Sequence, residues 1–315
     1  MRIIITGAGS FLGKALVRAL SEDAGAHELI CFRHSFEEEP DRLPQRADAF
    51  VHLAWAGVGS AGRSDQAIQA YNVEMSMAAL KKAAQLGCRS FLFSGSQAEY
   101  GISHSGLQRE DMRCMPVSEY GRAKLLFGEL AERWVHSLNE EERGRAGGNR
   151  SAAGESGSMR NGSEEEPLRL IHARIFSVYG PGDHDTSLIS TGIKSCLADR
   201  ALLLGSCTQD WDYLYIDDAA RALLALILSE KAEGIYNIAS GDIRPLKEYL
   251  ASLRSVLGSG SELQFGMREN NAEGAASLRP SVGKIQELCG WRPEVSFEEG
   301  IRRTAKALQG VSKGA

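Results

Sequence analysis

Three side chains that together can move a proton at an alcohol or carbonyl lie at short spacings in the middle of the chain. Tyr120 and Lys124 are four residues apart in the segment Tyr-Gly-Arg-Ala-Lys, and Ser96 ends the preceding apolar run. Residues four apart on a helix share one face. A lysine ammonium beside a phenol favours the phenolate and lowers the phenol pKa from about 10. The pattern therefore predicts an acid/base of the kind that hydride transfer requires, with a serine hydroxyl to hold the reacting oxygen.

A glycine-rich turn near the N-terminus has the composition of a diphosphate-binding site. Thr6–Gly13, with glycines at 7, 9 and 13, lies between a predicted strand at Arg2–Ile5 and a predicted helix at Lys14–Leu20. In such a turn, backbone N–H groups and the helix N-terminus face a pyrophosphate. Ser10 either caps the helix or donates to a phosphate oxygen, and the sequence leaves both roles open.

Predicted strands and helices alternate along the chain. The strands are Arg2–Ile5, Glu28–Phe32, Ala49–Leu53, Ser90–Phe93 and Leu168–Phe176, and the helices are Lys14–Leu20, Asp65–Leu86 and Ser118–Leu138. Alternation of this kind favours right-handed crossovers and a mostly parallel sheet covered on both faces. We therefore predict an α/β fold with a doubly wound, mostly parallel sheet and with ligands beyond the carboxyl ends of the strands.

Composition disfavours several classes of protein. The 315 residues include 36 Lys and Arg against 41 Asp and Glu, a net charge of −5 without a basic stripe, so no nucleic-acid partner is expected. The six cysteines form no Cys-x-x-Cys pair, which is typical of reduced thiols, and we predict no metal site. No apolar run approaches membrane-spanning length and no signal sequence precedes the first strand, so we expect no membrane partner and a cytoplasmic protein.

The end of the second predicted strand bears on the choice of cofactor. An acidic residue there accepts from the ribose 2′-hydroxyl of NAD, whereas an arginine accommodates the 2′-phosphate of NADP. The strand ends in Cys31-Phe-Arg33, and no carboxylate follows before Glu37. Arg33 therefore favours NADP(H), with NAD as the alternative.

One long segment lacks the apolar residues that a folded element needs. Asn139–Pro167 is rich in Glu, Gly, Ser, Arg and Asn. Such a segment cannot bury enough surface to offset the entropy of ordering. We predict a disordered insertion between a helix and a strand, with a regulatory or partner-binding role as the alternative.

Taken in order, these motifs resemble the extended short-chain dehydrogenase/reductases, often called the NAD(P)-dependent epimerase/dehydratase family. The resemblance runs from Arg2 to about Ala307 and is interrupted by residues 139–167. The segments that carry it are Thr6–Gly13, His52–Gly57, Asn72, Phe93–Gly101, Tyr120–Lys124, Arg174–Asp183, Trp211–Asp218, Gly234–Gly241 and Gly290–Pro293.

The resemblance implies an NAD(P)-binding Rossmann domain at residues 1–176, to which 214–240 returns, and a smaller substrate-binding region at 177–213 and 241–315. Tyr120 would be the catalytic acid/base, Lys124 its partner and a contact of the nicotinamide ribose, and Ser96 would bind the reacting sugar oxygen. The implied cofactor site comprises Gly7, Gly9, Ser10, Phe11, Leu12, Gly13, Arg33, Leu53, Ala54, Trp55, Ser94, Tyr120, Lys124 and Val178. The implied site for a nucleotide-diphosphate sugar comprises Ser96, Gln97, Tyr179 and Arg279.

The sequence also departs from the family pattern. Trp211 stands where relatives often carry an arginine, so the substrate diphosphate needs another cation, for which Arg279 is our candidate. Between Arg33 and Ala49 there is too little chain for the extra strand and helix of relatives, and the usual acidic contact to adenine is missing. Helices that match residues 65–86 and 118–138 pair in family dimers, so by analogy we expect a homodimer.

The residues after Ser96 bear on the reaction. Dehydratases and decarboxylases that resemble this chain carry a carboxylate there, whereas this chain has Gln97 and Ala98, and Glu99 is expected on the opposite face of the strand. Two reactions at C4 of an NDP-hexose remain: an NDP-4-keto-6-deoxyhexose reductase that consumes NADPH, which we favour, and a 4-epimerase that retains NAD. A non-catalytic NADP(H) sensor is a third alternative, although such proteins usually lose the Tyr or the Lys.

Overall fold

The computed structural model describes residues 1–102, 106–150, 166–268 and 276–312. The strands are β1 (Arg2–Thr6), β2 (Glu28–Phe32), β3 (Ala49–His52), β4 (Ser90–Ser96), β5 (Arg169–Ile175), β6 (Ser177–Tyr179), β7 (Leu202–Leu203), β8 (Asp210–Trp211), β9 (Tyr213–Tyr215), β10 (Gly234–Ile238), β11 (Arg244–Pro245) and β12 (Leu263–Gln264). The helices are α1 (Phe11–Glu22), α2 (Ser60–Arg63), α3 (Gln66–Gln85), α4 (Glu119–Arg150), α5 (Leu188–Leu197), α6 (Ile216–Leu228), α7 (Leu246–Val256), α8 (Gly283–Cys289) and α9 (Phe297–Ser312).

A parallel sheet of six strands positions the candidate site. Its order is β10-β5-β4-β3-β1-β2, and every neighbouring pair is parallel. The chain leaves β1 toward β2 and then crosses to β3 on the other side of β1, so the carboxyl ends of β1 and β3 flank a topological switch point. Ligands of open α/β sheets bind in such a crevice. The predicted doubly wound fold is confirmed.

Alternating residues of the strands fill two cores, one on each face of the sheet. On one face, Ile3 and Ile5 of β1 pack in a cluster with residues of α1 and α6. On the other face, Ile4 joins a cluster with residues of α3 and α4, including Phe127. A period of two is what a strand buried on both faces requires. The helices on both faces fix where the strand ends lie.

A third cluster lies in the C-terminal part of the chain. It is formed by aromatic and aliphatic residues of α5, α7, α9 and the two-stranded pair β6–β9. Two further pairs, β8–β11 and β7–β12, are equally short. This part therefore rests on side-chain packing more than on a continuous sheet. The division into two domains stays a prediction.

Helix α4 differs from the expectation. It continues to Arg150, so the predicted disordered insertion is wrong for residues 139–150. Glu140, Glu141 and Glu142 are good helix formers, and the Asn139 side chain donates to the carbonyl of Leu168, the residue before β5, at 3.0 Å. Residues 151–165 of the predicted insertion lie outside the described residues.

The link between β2 and β3 is short, as predicted. Two 3-10 turns, Phe36–Glu38 and Pro40–Arg42, replace the additional strand and helix expected of relatives. Strand β2 therefore forms one edge of the sheet. In the part of the chain that the structure describes, no helix is long and apolar enough to cross a bilayer.

Candidate active site

The turn between β1 and α1 brings main-chain atoms unusually close together. Gly7 has a φ of +72°, and a Cβ there would lie 2.6 Å from the amide nitrogen of Ala54, which follows β3. A Cβ at Gly13 would lie 2.2 Å from the carbonyl oxygen of Gly7. Real Cβ atoms do not approach main chain so closely, so both positions require glycine. This cradle leaves room for a dinucleotide against the backbone.

Ser10 is the N-cap of α1. Its hydroxyl oxygen accepts a hydrogen bond from the Gly13 amide at 3.0 Å, so the capping role is the one seen. The amides of Phe11 and Leu12 lie in the first turn, where a helix provides no intrahelical acceptor. With the positive end of the helix dipole, these amides suit a diphosphate.

Arg33 lies beside the same turn. Its side chain is exposed, and its Cγ lies 2.8 Å from where a Cβ of Gly9 would stand. Among the described residues no carboxylate pairs with this guanidinium. It is therefore available to an anion bound next to the glycine turn.

The sheet brings the three predicted catalytic residues together. Ser96 ends β4, and Tyr120 and Lys124 occupy the first turns of α4. The Ser96 hydroxyl interacts with the Tyr120 phenol. The buried Lys124 ammonium donates to the Ser94 carbonyl at 2.6 Å and lies 3.6 Å from the ring centroid of Trp55. Ser94 and Trp55, both predicted at the cofactor site, are thus in direct contact with Lys124.

The electrostatics of Tyr120 differ from the expectation. Burial raises the pKa of the phenol, while the Ser96 hydroxyl and the Arg63 guanidinium act in the opposite direction. Lys124 lies 5.7 Å from the ring centroid, and burial holds the pKa of its ammonium well below the usual value. The predicted lowering of the phenol pKa by Lys124 is therefore not seen. A phenol with a raised pKa is protonated at neutral pH and is a proton donor.

Glu99 folds back beneath Ser96. It lies in the 3-10 turn Gln97–Glu99, rather than in the strand that the sequence suggested. Its fully buried carboxylate accepts from the Ser96 amide at 2.7 Å and from Arg174 Nε at 2.8 Å, and lies 3.1 Å from His172 Nε2. Although burial raises the pKa of Glu99, the pairing with His172, Arg174 and the Ser96 amide brings it to about 2.

The His172 ring fits only between two glycines. A Cβ at Gly95 would lie 2.2 Å from its Nε2, and a Cβ at Gly128 of α4 would lie 2.7 Å from its Cε1. The imidazole is thereby held against Glu99. Because this carboxylate is buried and paired with Arg174 and His172, it is not available to exchange protons with a substrate.

Gln97 takes the position next to Ser96. Its side chain is half-buried, and its Oε1 lies 3.5 Å from the hydroxyl of Ser177 at the start of β6. An amide cannot act as an acid or base near neutral pH. The geometry next to Ser96 thus supplies hydrogen bonds without a second proton-transfer group.

The predicted residues of the substrate side are placed less favourably. Tyr179 is buried in the C-terminal aromatic cluster, and its hydroxyl donates to the carbonyl of Phe297 at 3.0 Å. Because alternation along β6 turns this side chain toward α9, it cannot contact a substrate as predicted. Val178, the preceding residue, is partly buried between two of the cores. Arg279 is half-exposed and its guanidinium lies 3.4 Å from the carboxylate of Asp210.

Sequence reasoning missed several residues of the site. Arg63 of α2 lies with its Cζ 4.4 Å from the Tyr120 ring centroid. Nothing in the sequence around Arg63 distinguishes it from a solvated charge. His172 and Arg174, by contrast, are polar residues two apart in a buried strand, so they share a face. That pattern could have indicated a buried partner such as Glu99.

Comparison with known proteins agrees with this geometry. Residues 3–239 match the profile of the NAD dependent epimerase/dehydratase family. The chain belongs to this family. It is therefore an enzyme of the extended short-chain dehydrogenase/reductase type that uses an NAD(P) cofactor, and the glycine cradle after β1 fits such a dinucleotide.

Individual members of the epimerase/dehydratase family are similar over nearly the whole chain. The GDP-6-deoxy-D-mannose reductase of Pseudomonas aeruginosa is 25% identical over 319 residues, covering 96% of this chain and 95% of the relative. The structure of RMD from Pseudomonas aeruginosa, complexed with NADPH, is 22% identical with a TM-score of 0.76, covering 98% of this chain and 99% of that one. UDP-glucuronic acid 4-epimerase from Bacillus cereus, in complex with NAD, is 21% identical with a TM-score of 0.77, covering 100% and 98%.

Proposed function

We propose that this enzyme is an NADP(H)-dependent reductase of a nucleotide-diphosphate 4-keto-6-deoxyhexose. The observation that carries the proposal is the state of Glu99. It is the carboxylate nearest to Ser96 in sequence, and it is buried against Arg174 and His172. Elimination and decarboxylation need a further acid or base beside the substrate. Reduction of a ketone needs one proton donor, and Tyr120 supplies it.

The residues of the site divide the chemistry among them. A nicotinamide cofactor, when bound, would supply the hydride that C4 of the sugar receives. Tyr120 donates its phenolic proton to the oxygen at C4, so the ketone becomes an alcohol. The Ser96 hydroxyl donates a hydrogen bond to the same oxygen and stabilises its developing negative charge. Lys124 would hold the nicotinamide ribose beside the Ser94 carbonyl to which it already donates.

The protonation state of Tyr120 supports the direction of the reaction. Burial raises the pKa of this phenol. A reductase requires a protonated phenol when the ketone binds, whereas an epimerase must begin by removing a proton from a hydroxyl. Similarity over nearly the full chain to a GDP-6-deoxy-D-mannose reductase favours the same reaction class.

Arg33 supports the choice of NADP(H). Its exposed side chain lies against Gly9 of the glycine turn, at the end of β2. A guanidinium in this place can bind a ribose 2′-phosphate by paired, charge-assisted hydrogen bonds.

The remaining assignments belong to the same proposal. Arg279 would contact the substrate diphosphate on the substrate side, and Gln97 would hydrogen-bond the sugar. The enzyme would form a homodimer through α3 and α4, where Tyr71, Leu126 and Leu130 are 56%, 48% and 38% exposed. Large apolar side chains on a helical surface favour such an interface. The cytoplasm would be its location.

A 4-epimerase that retains NAD is the second candidate. The pairing of Ser96 with Tyr120 favours it equally, because one proton-transfer pair serves both hydride removal and hydride return. In that case the cofactor would stay bound between turnovers and Arg33 would have no role in choosing it.

Cofactor analysis of the purified protein separates the candidates. The protein is denatured, any released nicotinamide nucleotide is identified by mass spectrometry, and undenatured sites are titrated with NADPH and NADH. We expect empty sites that prefer NADPH, and stoichiometric NADPH oxidation with an NDP-4-keto-6-deoxyhexose. Stoichiometric bound NAD, with interconversion of C4 epimers and no net NADPH consumption, would overturn the proposal in favour of the epimerase. NADP(H) binding without turnover of any nucleotide sugar would indicate the non-catalytic sensor.

A further inference from the structure

Among the residues that the structure describes, Arg63 is the cation closest to the Tyr120 ring. Its Cζ lies 4.4 Å from the ring centroid, whereas the Lys124 Nζ lies 5.7 Å away. The Lys124 ammonium instead lies over Trp55 and donates to the Ser94 carbonyl. A guanidinium can stack on an aromatic face and leave its N–H groups at the edge of the ring.

The segment that carries Arg63 is tied down by buried contacts. A Cβ at Gly62 would lie 2.4 Å from the Cα of Gly57, so these two backbones are in close contact. The buried Gln69 side chain donates to the Gly62 carbonyl at 2.8 Å and accepts from Trp55 Nε1 at 2.9 Å. The residue before Arg63 is thus held by the same amide that holds the tryptophan over Lys124.

We propose that Arg63 is the positioning residue of Tyr120 and supplies the positive charge that the phenol needs when it gives up its proton. The spacing of Tyr120 and Lys124 alone assigns this role to the lysine. The inference rests on the proposed function only in taking Tyr120 as the proton donor, and it holds for a reductase or an epimerase.

The charges that face Tyr120 come from three elements. Arg63 projects from α2, Lys124 from α4, and Glu99 from the turn after β4. Glu99 acts against ionisation of the phenol but is itself paired with Arg174. Burial holds the pKa of Lys124 well below its usual value, whereas a guanidinium stays charged at every working pH. Arg63, which lies 4.4 Å from the ring centroid, therefore contributes a positive charge directly at the phenol.

Replacement of the guanidinium tests the inference. In Arg63→Met we expect the phenol of Tyr120 to titrate about one pH unit higher, a roughly tenfold smaller phenolate fraction at a given pH. Arg63→Lys should keep the pKa of Tyr120 close to the wild-type value because it keeps the charge. The matched control is Arg122→Met, which removes an exposed α4 arginine two residues from Tyr120 that pairs with Glu119.

Phenolate absorbance measures the shift without substrate. The wild type and each Arg63 variant are titrated with and without the additional substitution Tyr120→Phe. The difference isolates the absorbance of Tyr120 from that of the other seven tyrosines. The turnover profile gives a second readout: a reductase loses kcat as pH rises through the Tyr120 pKa, so this limb should move upward in Arg63→Met while the KM for NADPH stays unchanged.

The outcomes separate the inference from the proposed function. An unchanged Tyr120 titration in Arg63→Met that still binds NADPH would overturn the inference, even if the enzyme is a ketosugar reductase. A shifted titration supports it even if the enzyme is an epimerase. Arg63→Gln is a second neutral variant, which carries the same test if the methionine variant does not fold.

Discussion

The six-stranded sheet, which forms the proposed cofactor side, and the C-terminal pairs of short strands, which form the proposed substrate side, are built by different means. On the cofactor side, strands of one six-stranded parallel sheet end at the glycine turn, at His52 and at Ser96, so main-chain geometry places the groups. On the substrate side, pairs of strands only two or three residues long are held by packed aromatic rings such as Tyr179 and Tyr213. Where the backbone places a group, few residue types fit. Where side-chain packing places a group, many residue types fit, so its position is harder to predict from the sequence.

The largest expected effect compares one tyrosine from each side. Tyr120→Phe removes the proposed proton donor and should lower kcat by roughly 10²–10⁴-fold while NADPH still binds. Tyr179→Phe removes only the hydrogen bond to Phe297 and should leave kcat near the wild-type value, with the free energy of unfolding lower by about 1 kcal/mol. Steady-state kinetics and urea denaturation of both variants check this. Equal losses of kcat in the two variants would contradict this difference between the two sides, because Tyr179 would then belong to the active site.

A smaller effect is expected in stability at Glu99. The pKa of this buried carboxyl is about 2, below its ordinary value of 4.5, so its contribution is present above about pH 4.5 and is lost as the pH falls toward 2. The shift corresponds to about 3 kcal/mol. Glu99→Gln should lower the free energy of unfolding by about this amount at pH 7. Between pH 5 and 3, the free energy of unfolding should decrease less in this variant than in the wild type.

Two other carboxylates sharpen that result. Glu119→Gln removes a surface carboxylate paired with Arg122 and should change stability by less than about 1 kcal/mol.

On the substrate side, burial raises the pKa of Asp212 to about 6, although the amides of Ser240 and Gly241 and the Ser240 hydroxyl act against the rise. The native state therefore binds this proton more tightly, and Asp212 favours folding increasingly as the pH falls from about 6. If the free energy of unfolding of the wild type and of Glu99→Gln decreased equally as the pH fell below 5, the low pKa assigned to Glu99 would be contradicted.

The smallest expected effect is in the choice of cofactor. Arg33→Ala should raise the Kd for NADPH about tenfold, because a charge-assisted contact to the 2′-phosphate is lost, and should leave the Kd for NADH unchanged. Fluorescence titration with both nucleotides measures the ratio. The exposed Arg109, paired with Asp111 in the loop that precedes α4, provides the matched control as Arg109→Ala. An unchanged NADPH to NADH ratio would show that Arg33 does not read the ribose.

Much of the cofactor side could be predicted from the sequence because its constraints are local. A turn that admits no Cβ requires Gly7 and Gly13, and residues one helical turn apart place Tyr120 above Lys124. The mostly parallel sheet covered on both faces then follows from the alternation of strands and helices. These patterns lie within a few residues of one another, so a single sequence reveals them.

The rest depended on contacts between distant segments. Arg63 reaches Tyr120 from helix α2, and Tyr179 contacts Phe297 more than a hundred residues away. The ionisation of Tyr120 was also mispredicted, because helical spacing says nothing about burial or about the carbonyl that Lys124 prefers. The end of α4 was missed for another reason. Its first polar turn after residue 138 has the composition of a loop, although Glu140, Glu141 and Glu142 are good helix formers.

The His172 ring occupies the space that side chains at positions 95 and 128 would need, and both positions are glycine. Gly95, His172 and Gly128 come from β4, β5 and α4, and the imidazole fills the space that two missing side chains leave open. A methyl group at either glycine must therefore be accompanied by a smaller residue at 172. The three positions can change only as a set, so homologues should carry either two glycines with a ring or larger residues around a small one. Such joint variation would report on the packing behind Ser96 without any measurement of activity.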